Sequence, residues 1–173
     1  MDVKTTALKA YLDKSFISAV LCDSHYQFYN KINYISMFPV IIGSSVLTIL
    51  NSSTIPEDVM KYINVIINGL NTLVMTLSTQ YKINDRLTTY KNLYNKYQKL
   101  SHKIESLINH SSEITDKNLD EIINEYDILQ NDNNYGYLSS YKKKIIEKYG
   151  KTKVMPNSLA LDQIEADLLL INA

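Results

Sequence analysis

The residues with the clearest potential for chemistry are Cys22 and His25, three positions apart. On a helix this spacing puts a thiol and an imidazole on one face. A structural metal site needs about four ligands, and His102 and His110 do not supply a second closely spaced pair. We therefore interpret Cys22 and His25 as core or surface residues, and the sequence predicts neither a metal site nor a cofactor.

Catalytic motifs are equally weak. Gly150, Lys151 and Thr152 resemble the end of a phosphate-binding loop, but position 145 is Ile where that loop requires Gly, and the glycine-rich cradle is absent. No Ser/His/Asp set or carboxylate pair stands out from the background. The sequence therefore predicts a protein that is not an enzyme.

A row of amides is the most distinctive polar feature. Asn64, Asn68 and Asn71 lie within an uncharged segment and share one face of a helix, and Ser78 extends the row. In a bilayer such groups must face another helix or water, because an unpaired amide in hydrocarbon costs several kcal/mol. The face either holds two helices of one chain together, or lines a pore in an oligomer, or belongs to helices that are not embedded in a membrane.

The preceding uncharged segment offers partners for this face. Its small or hydroxyl-bearing residues at helical spacing are Ser36, Gly43, Ser44 and Thr48. Small residues let membrane helices approach closely, and hydroxyl groups form hydrogen bonds across the contact. Pro39 in the same segment removes one backbone hydrogen bond and predicts a kink.

Two uncharged runs predict a transmembrane hairpin. Residues 32–56 form a run of 25 and residues 62–81 a run of 20, about the length that crosses a bilayer core. We predict membrane helices at 34–51 and 62–81. The second helix should begin near Ile55, with Thr54 and Glu57 at capping-box spacing.

Flanking charges predict the topology. Lys31, Lys82 and Arg86 lie at one end of the hairpin, whereas the turn carries Glu57, Asp58 and Lys61. By the positive-inside rule, both termini are cytoplasmic.

After residue 81 the chain continues without Pro or Gly, so we predict one unbroken helix from about Ile55 to about Asn109. Its apolar positions alternate in steps of three and four; they are Tyr90, Leu93, Tyr97, Leu100, Ile104 and Leu107. This seam favours packing within the chain, and a coiled coil with another chain is the alternative.

Charge divides the rest of the chain. Residues 82–105 carry six basic and two acidic side chains, whereas residues 113–132 carry seven acidic side chains and one lysine. We expect the second segment to form an amphipathic helix capped by Thr115 that folds back on the first. The whole chain balances 18 basic against 18 acidic residues, so no nucleic-acid partner is expected.

A lysine-rich segment follows at 141–153. One interpretation is a solvated helix face. The alternative is contact with anionic lipid headgroups through Lys142, Lys143, Lys144 and Lys148. The tail after Pro156 predicts a short helix that docks on the body or on a partner, since Leu168–Ile171 would otherwise be an exposed apolar end.

The fold prediction is therefore all-α, with a transmembrane hairpin whose long second helix extends into a cytoplasmic helical domain. Its divisions are an N-terminal helix at 1–31, the hairpin at 32–81, a helical region with the lysine-rich segment at 82–150, and a tail helix at 151–173.

The order of these segments resembles a known family. An N-terminal helix leads into PVIIGSSVLTIL, a turn with IPED, then NVIINGLNTLVMTLSTQYKINDRLTTYKNLYNKY, EYDIL and YKKKIIEKYG. Over roughly residues 5–150 this is similar to the SLATT family of two-transmembrane proteins, above all to the SLATT-like proteins of large DNA viruses. Those copies often carry a Pro-rich turn where this chain reads QNDNNYGYLSS.

The family is proposed to act as membrane effectors that form pores and have no enzymatic activity. For a viral member the resemblance implies a membrane role and little beyond it. The sequence leaves three functions open. They are an oligomeric pore-forming or membrane-perturbing effector, a structural or scaffolding protein of a viral or internal membrane that binds partners through residues 113–173, and a soluble helical-bundle interaction protein.

Overall fold

The computed structural model describes residues 3–53, 55–110 and 114–160. It is 86% helical, and no strand occurs in those residues, so the all-α prediction is confirmed. The helices are α1 (Val3–Asn51), α2 (Glu57–Gln80), α3 (Ile83–His110), α4 (Asp116–Asn131) and α5 (Ser139–Tyr149). A further helical turn occupies residues 157–160.

Helix α1 runs without interruption through 49 residues, including Pro39. The prediction that the N-terminal helix leads straight into the first apolar segment is therefore confirmed. Across the described ranges, α1 is the one helix long and apolar enough to cross a membrane, judged by length and composition, and 6% of its most apolar stretch is buried. The two-helix transmembrane arrangement is not confirmed by this criterion, because the three asparagines reduce the apolarity of α2.

The prediction of one unbroken helix from Ile55 to Asn109 is wrong. The chain leaves helical geometry at Tyr81 and Lys82, and Lys82 has a left-handed φ of 50°. Buried Ser78 and buried Ile83 lie five residues apart, a spacing that does not share one face of a continuous helix. The break at Lys82 therefore changes the rotation of the helix, so that Ser78 of α2 and Ile83 of α3 can both be buried.

The start of α2 also differs slightly from the prediction. The helix begins at Glu57, two residues after the predicted start, and Pro56 occupies the position before it. Proline suits this place because its missing N–H would have no partner inside the helix. The predicted cap, Thr54, lies outside the described residues.

The described residues form two compact units. Unit 1 contains residues 3–26 of α1 together with residues 88–110 and 114–160, and unit 2 contains residues 27–87. The first part of α1, residues 3–26, thus packs in unit 1 with α3, α4 and α5.

Helix α3 supplies the centre of unit 1. Its predicted seam is buried at Tyr90, Leu93, Tyr97, Leu100 and Ile104, and half-buried at Leu107. The Tyr97 ring lies 6.1 Å from the ring of Tyr126 on α4. The interpretation of the seam as packing within the chain is confirmed.

Opposite charges pair α3 with α4 as expected. Lys96 lies 2.8 Å from Asp132, and Lys103 lies 2.7 Å from Glu121 and 2.8 Å from Glu125. These pairs are partly exposed, so each adds little free energy, but together they select the partner helix.

The predicted cap of α4 is also present. Thr115 precedes the helix in an extended conformation, and its hydroxyl accepts the backbone N–H of Asn118 at 3.3 Å. This contact satisfies one of the unpaired donors of the first helical turn.

The start of the tail docks on unit 1. Met155 and Leu159 are buried in one cluster with Ile17, Leu21 and Ile145. The docking expectation is confirmed for this part of the tail, and Leu168–Ile171 lie outside the described residues.

Candidate functional site

The contact between α1 and α2 in unit 2 is built on a small residue. A Cβ atom placed on Gly43 would lie 3.0 Å from Cγ2 of Ile67 and 3.2 Å from Oδ1 of Asn71. Beside it, Nδ2 of Asn71 reaches Oγ of Ser44 at 3.5 Å. Glycine therefore permits a close approach at which an amide of one helix meets a hydroxyl of the other.

The residues of the predicted polar face differ in burial. Asn64 and Asn71 are half-buried and Ser78 is buried, but Asn68 is exposed. Helical rotation explains the difference, since the face centred on Ile67 and Asn71 turns Asn68 to the side. Asn71 thus contributes to the contact with α1, whereas Asn68 presents its amide on the exposed side of α2.

Several hydroxyl groups in unit 2 donate to backbone carbonyls of their own helices. Oγ of Ser44 donates to the carbonyl of Val40 at 2.8 Å, and Oγ1 of Thr48 donates to the carbonyl of Ser44 at 2.9 Å. On α2 the same i−4 bond is made by Thr72, Thr76 and Thr79. These hydroxyls need no water, which suits them to a medium without hydrogen-bonding solvent.

Large apolar side chains cover the outer surface of unit 2. On α1 the exposed ones are Tyr34, Ile35, Phe38, Ile41, Ile42, Val46 and Ile49. On α2 they are Val59, Tyr62, Val65, Ile66, Leu70, Leu73, Met75 and Leu77. A monomer in water rarely exposes a continuous apolar surface of this extent.

The predicted lipid-contact lysines lie on α5 in unit 1. Lys143, Lys144 and Lys148 are exposed and Lys142 is half-buried. The ammonium groups of Lys144 and Lys148 lie over the rings of Tyr141 and Tyr149, at 5.8 Å and 5.1 Å. The arrangement presents basic groups at the surface of unit 1.

A buried polar network in unit 1 was not anticipated from the sequence. Its centre is Gln130 on α4, whose amide nitrogen lies 2.9 Å from the hydroxyl of Tyr126, 3.1 Å from that of Tyr97 and 3.4 Å from Oγ of Ser18. The signal available was the spacing of Ser18, Cys22 and His25, which places three polar groups on one face of α1.

Cys22 and His25 are also buried in unit 1, as core residues. Sγ of Cys22 lies 3.5 Å from the hydroxyl of Tyr137, and burial raises the pKa of the Cys22 thiol to about 12. Burial likewise raises the pKa of Tyr126 to about 12 and the pKa of Tyr97 and of Tyr137 well above the usual value. A thiol held protonated in this way is a poor nucleophile and a poor metal ligand.

Both ring nitrogens of His25 are engaged. The backbone N–H of Leu138 donates to Nε2 at 2.8 Å, and Nδ1 lies 2.8 Å from the carbonyl oxygen of Leu21. Within the described residues, no group of three or more His, Cys, Asp or Glu side chains is placed to hold a metal ion.

Comparisons with known proteins add no relative to this picture: no family model, no curated protein and no solved structure matches the chain.

Proposed function

We propose that this chain is a two-pass integral membrane protein that acts as an oligomeric pore-forming or membrane-perturbing effector. The observation that carries the proposal is the apolar outer surface of unit 2, which continues over both α1 and α2. Burying such a surface in lipid gains roughly 25 cal/mol for each Å² removed from water.

Two features support a membrane position for α2 despite its asparagines. The amide of Asn71 meets Ser44, and the threonine hydroxyls bond to their own helix. Each internal hydrogen bond removes part of the cost of a polar group in hydrocarbon. With Lys31, Lys82 and Arg86 at the end opposite the turn, both termini are then cytoplasmic.

The exposed side of α2 favours an oligomer over a lone anchor. Asn68, Thr72, Thr76 and Thr79 are exposed on that helix. The threonines satisfy their hydroxyls internally, but an outward amide in lipid requires a second copy or a water-filled space. The resemblance to SLATT-like proteins points to the same class of effector.

Membrane integration is tested by alkaline carbonate extraction of membranes from cells that express the tagged chain. We expect the protein to remain in the pellet, and Ile66→Asp on α2 to lower the retained fraction, because a charged residue near a helix centre costs about 3 kcal/mol on insertion. Ile128→Asp is the matched control, since Ile128 is also exposed but lies on α4 in unit 1. Recovery of the unmodified chain in the supernatant would overturn the membrane proposal.

Pore formation is tested by ion leakage from liposomes that contain the purified chain. We expect Asn68→Leu to keep insertion but abolish leakage, because it removes the outward amide. Ile66→Leu, an apolar exchange on an exposed position of the same helix, should leave leakage unchanged. If the parent does not leak, or if Asn68→Leu leaks equally, the structural or scaffolding role replaces the pore.

A further inference from the structure

The loop that joins α4 to α5 contacts α1 and α3 at several points. The hydroxyl of Tyr90 on α3 donates to the carbonyl of Gly136, and Tyr137 contacts Cys22 on α1. Gly136 has a left-handed φ of 64°, which glycine adopts without strain. The next residue but one, Leu138, gives its backbone N–H to His25.

This last bond fixes the chemical state of His25. A backbone N–H can only donate, so Nε2 must carry a lone pair, and the remaining ring proton lies on Nδ1 and points to the carbonyl of Leu21. The imidazole is therefore neutral and in a single tautomer. A second proton on Nε2 would face the N–H of Leu138 and break the bond.

The aromatic side chains packed on His25 offer no charge to hold an imidazolium. The rings that face His25 are Tyr90 from α3, Tyr137 from the loop and Tyr141 from α5, with centroids 5.0, 5.3 and 4.9 Å away. These phenols and the thiol of Cys22 are uncharged at neutral and acidic pH. Burial lowers the pKa of His25, and the hydrogen bond to Leu21 opposes that shift.

Leu138 is also where α5 begins. Its carbonyl accepts the backbone N–H groups of Tyr141 and Lys142, at 3.0 and 3.1 Å. Loss of the bond to His25 would therefore remove a contact that ties the end of the loop and the start of α5 to α1.

We propose that His25 is a proton-operated latch: neutral, it holds residues 132–138 and the start of α5 in place, and protonated, it releases them. Because the opened form binds the proton more tightly than the closed form, the closed form has its full stability above pH 6.5, the ordinary pKa of the group, and loses stability as the pH falls below it. The latch lies wholly in unit 1 and does not rest on the proposed membrane function.

The tautomer is tested directly on the unmodified full-length chain in detergent. Imidazole ¹⁵N spectra of labelled protein at pH 7.5 should show His25 neutral with the proton on Nδ1. A proton on Nε2, or a charged ring, at that pH would overturn the latch, and this test does not depend on whether any variant folds.

Release is tested by hydrogen exchange of residues 132–141, expressed as protection after correction for the intrinsic pH dependence. We expect protection in this segment to fall by about tenfold for each pH unit below 6.5 until His25 is protonated in the closed form, with α4 retaining its protection. In His25→Gln the pH dependence should vanish, because the amide does not titrate. His102→Gln, at an exposed position, should keep it. Protection independent of pH in the parent, or dependence that survives in His25→Gln, contradicts the proposal.

Discussion

Gly43→Leu should separate α1 from α2 and destabilise unit 2 by about 1–3 kcal/mol, the usual range for overpacking a close contact. Even the first added carbon would lie 3.0 Å from Ile67 and 3.2 Å from Asn71. The remaining atoms of leucine have no room unless the helices move apart. Because the Asn71 amide would then lose Ser44, the substitution breaks a polar contact as well as an apolar one.

Disulfide formation between the helices measures this separation. Nδ2 of Asn71 lies 3.5 Å from Oγ of Ser44, so Ser44→Cys and Asn71→Cys put two thiols on facing positions of α1 and α2, and we expect them to form a disulfide. Adding Gly43→Leu should lower the crosslinked fraction. Gly69→Leu is the matched control, because a Cβ at Gly69 meets no atom within 4 Å and a mid-helix glycine is itself unfavourable by about 1 kcal/mol. Equal losses from both substitutions would contradict the close approach at Gly43.

Gln130→Leu should destabilise unit 1 by about 2–4 kcal/mol, since it leaves buried hydroxyls without a donor. The amide nitrogen lies within hydrogen-bond distance of Tyr97, Tyr126 and Ser18. It carries two hydrogens, so it serves two of these oxygens at a time. Leucine restores neither bond, and the low polarity around the phenols raises the cost of leaving them unpaired.

Denaturant unfolding followed by near-ultraviolet circular dichroism measures this loss, because Tyr97 and Tyr126 report on their own packing. The control is Gln98→Leu, in which an exposed amide loses one bond to Tyr94. We expect that change to cost less than about 0.5 kcal/mol, as surface substitutions usually do. A Gln130→Leu protein as stable as Gln98→Leu would show that the network contributes little.

The pairing of α3 with α4 was predictable because two independent signals coincide. The seam from Tyr90 to Ile104 follows a helical period, and the charges of the two segments are opposite. The cap at Thr115 was predictable because a capping residue binds a near neighbour, here the backbone N–H of Asn118. Periodicity and capping each involve residues within a few positions, which a single sequence displays.

The break at Lys82 and the role of His25 were not predictable in this way. No Gly or Pro marks the break, and only the register of buried positions on either side requires it. His25 receives its bond from Leu138, 113 residues later, and nothing in the local pattern identifies that partner. Within the hairpin, the contact of Ser44 with Asn71 was anticipated from residue type, but the outward position of Asn68 depends on how α2 is rotated against α1.

Unit 1 combines the start of the chain with segments that follow residue 87, and this affects how the protein folds during synthesis. The apolar residues Ile17 and Leu21 of α1 leave the ribosome early. Their packing partners Ile145 and Leu159 are synthesised only after most of the chain has followed. At a synthesis rate of about 5–20 residues per second, the 113 positions from His25 to Leu138 take roughly 6–23 s. During that interval the apolar residues at the start of α1 lack the partners that bury them in the folded protein. Nascent chains of this protein should therefore depend on insertion machinery or a chaperone that holds the N-terminal helix until α5 emerges.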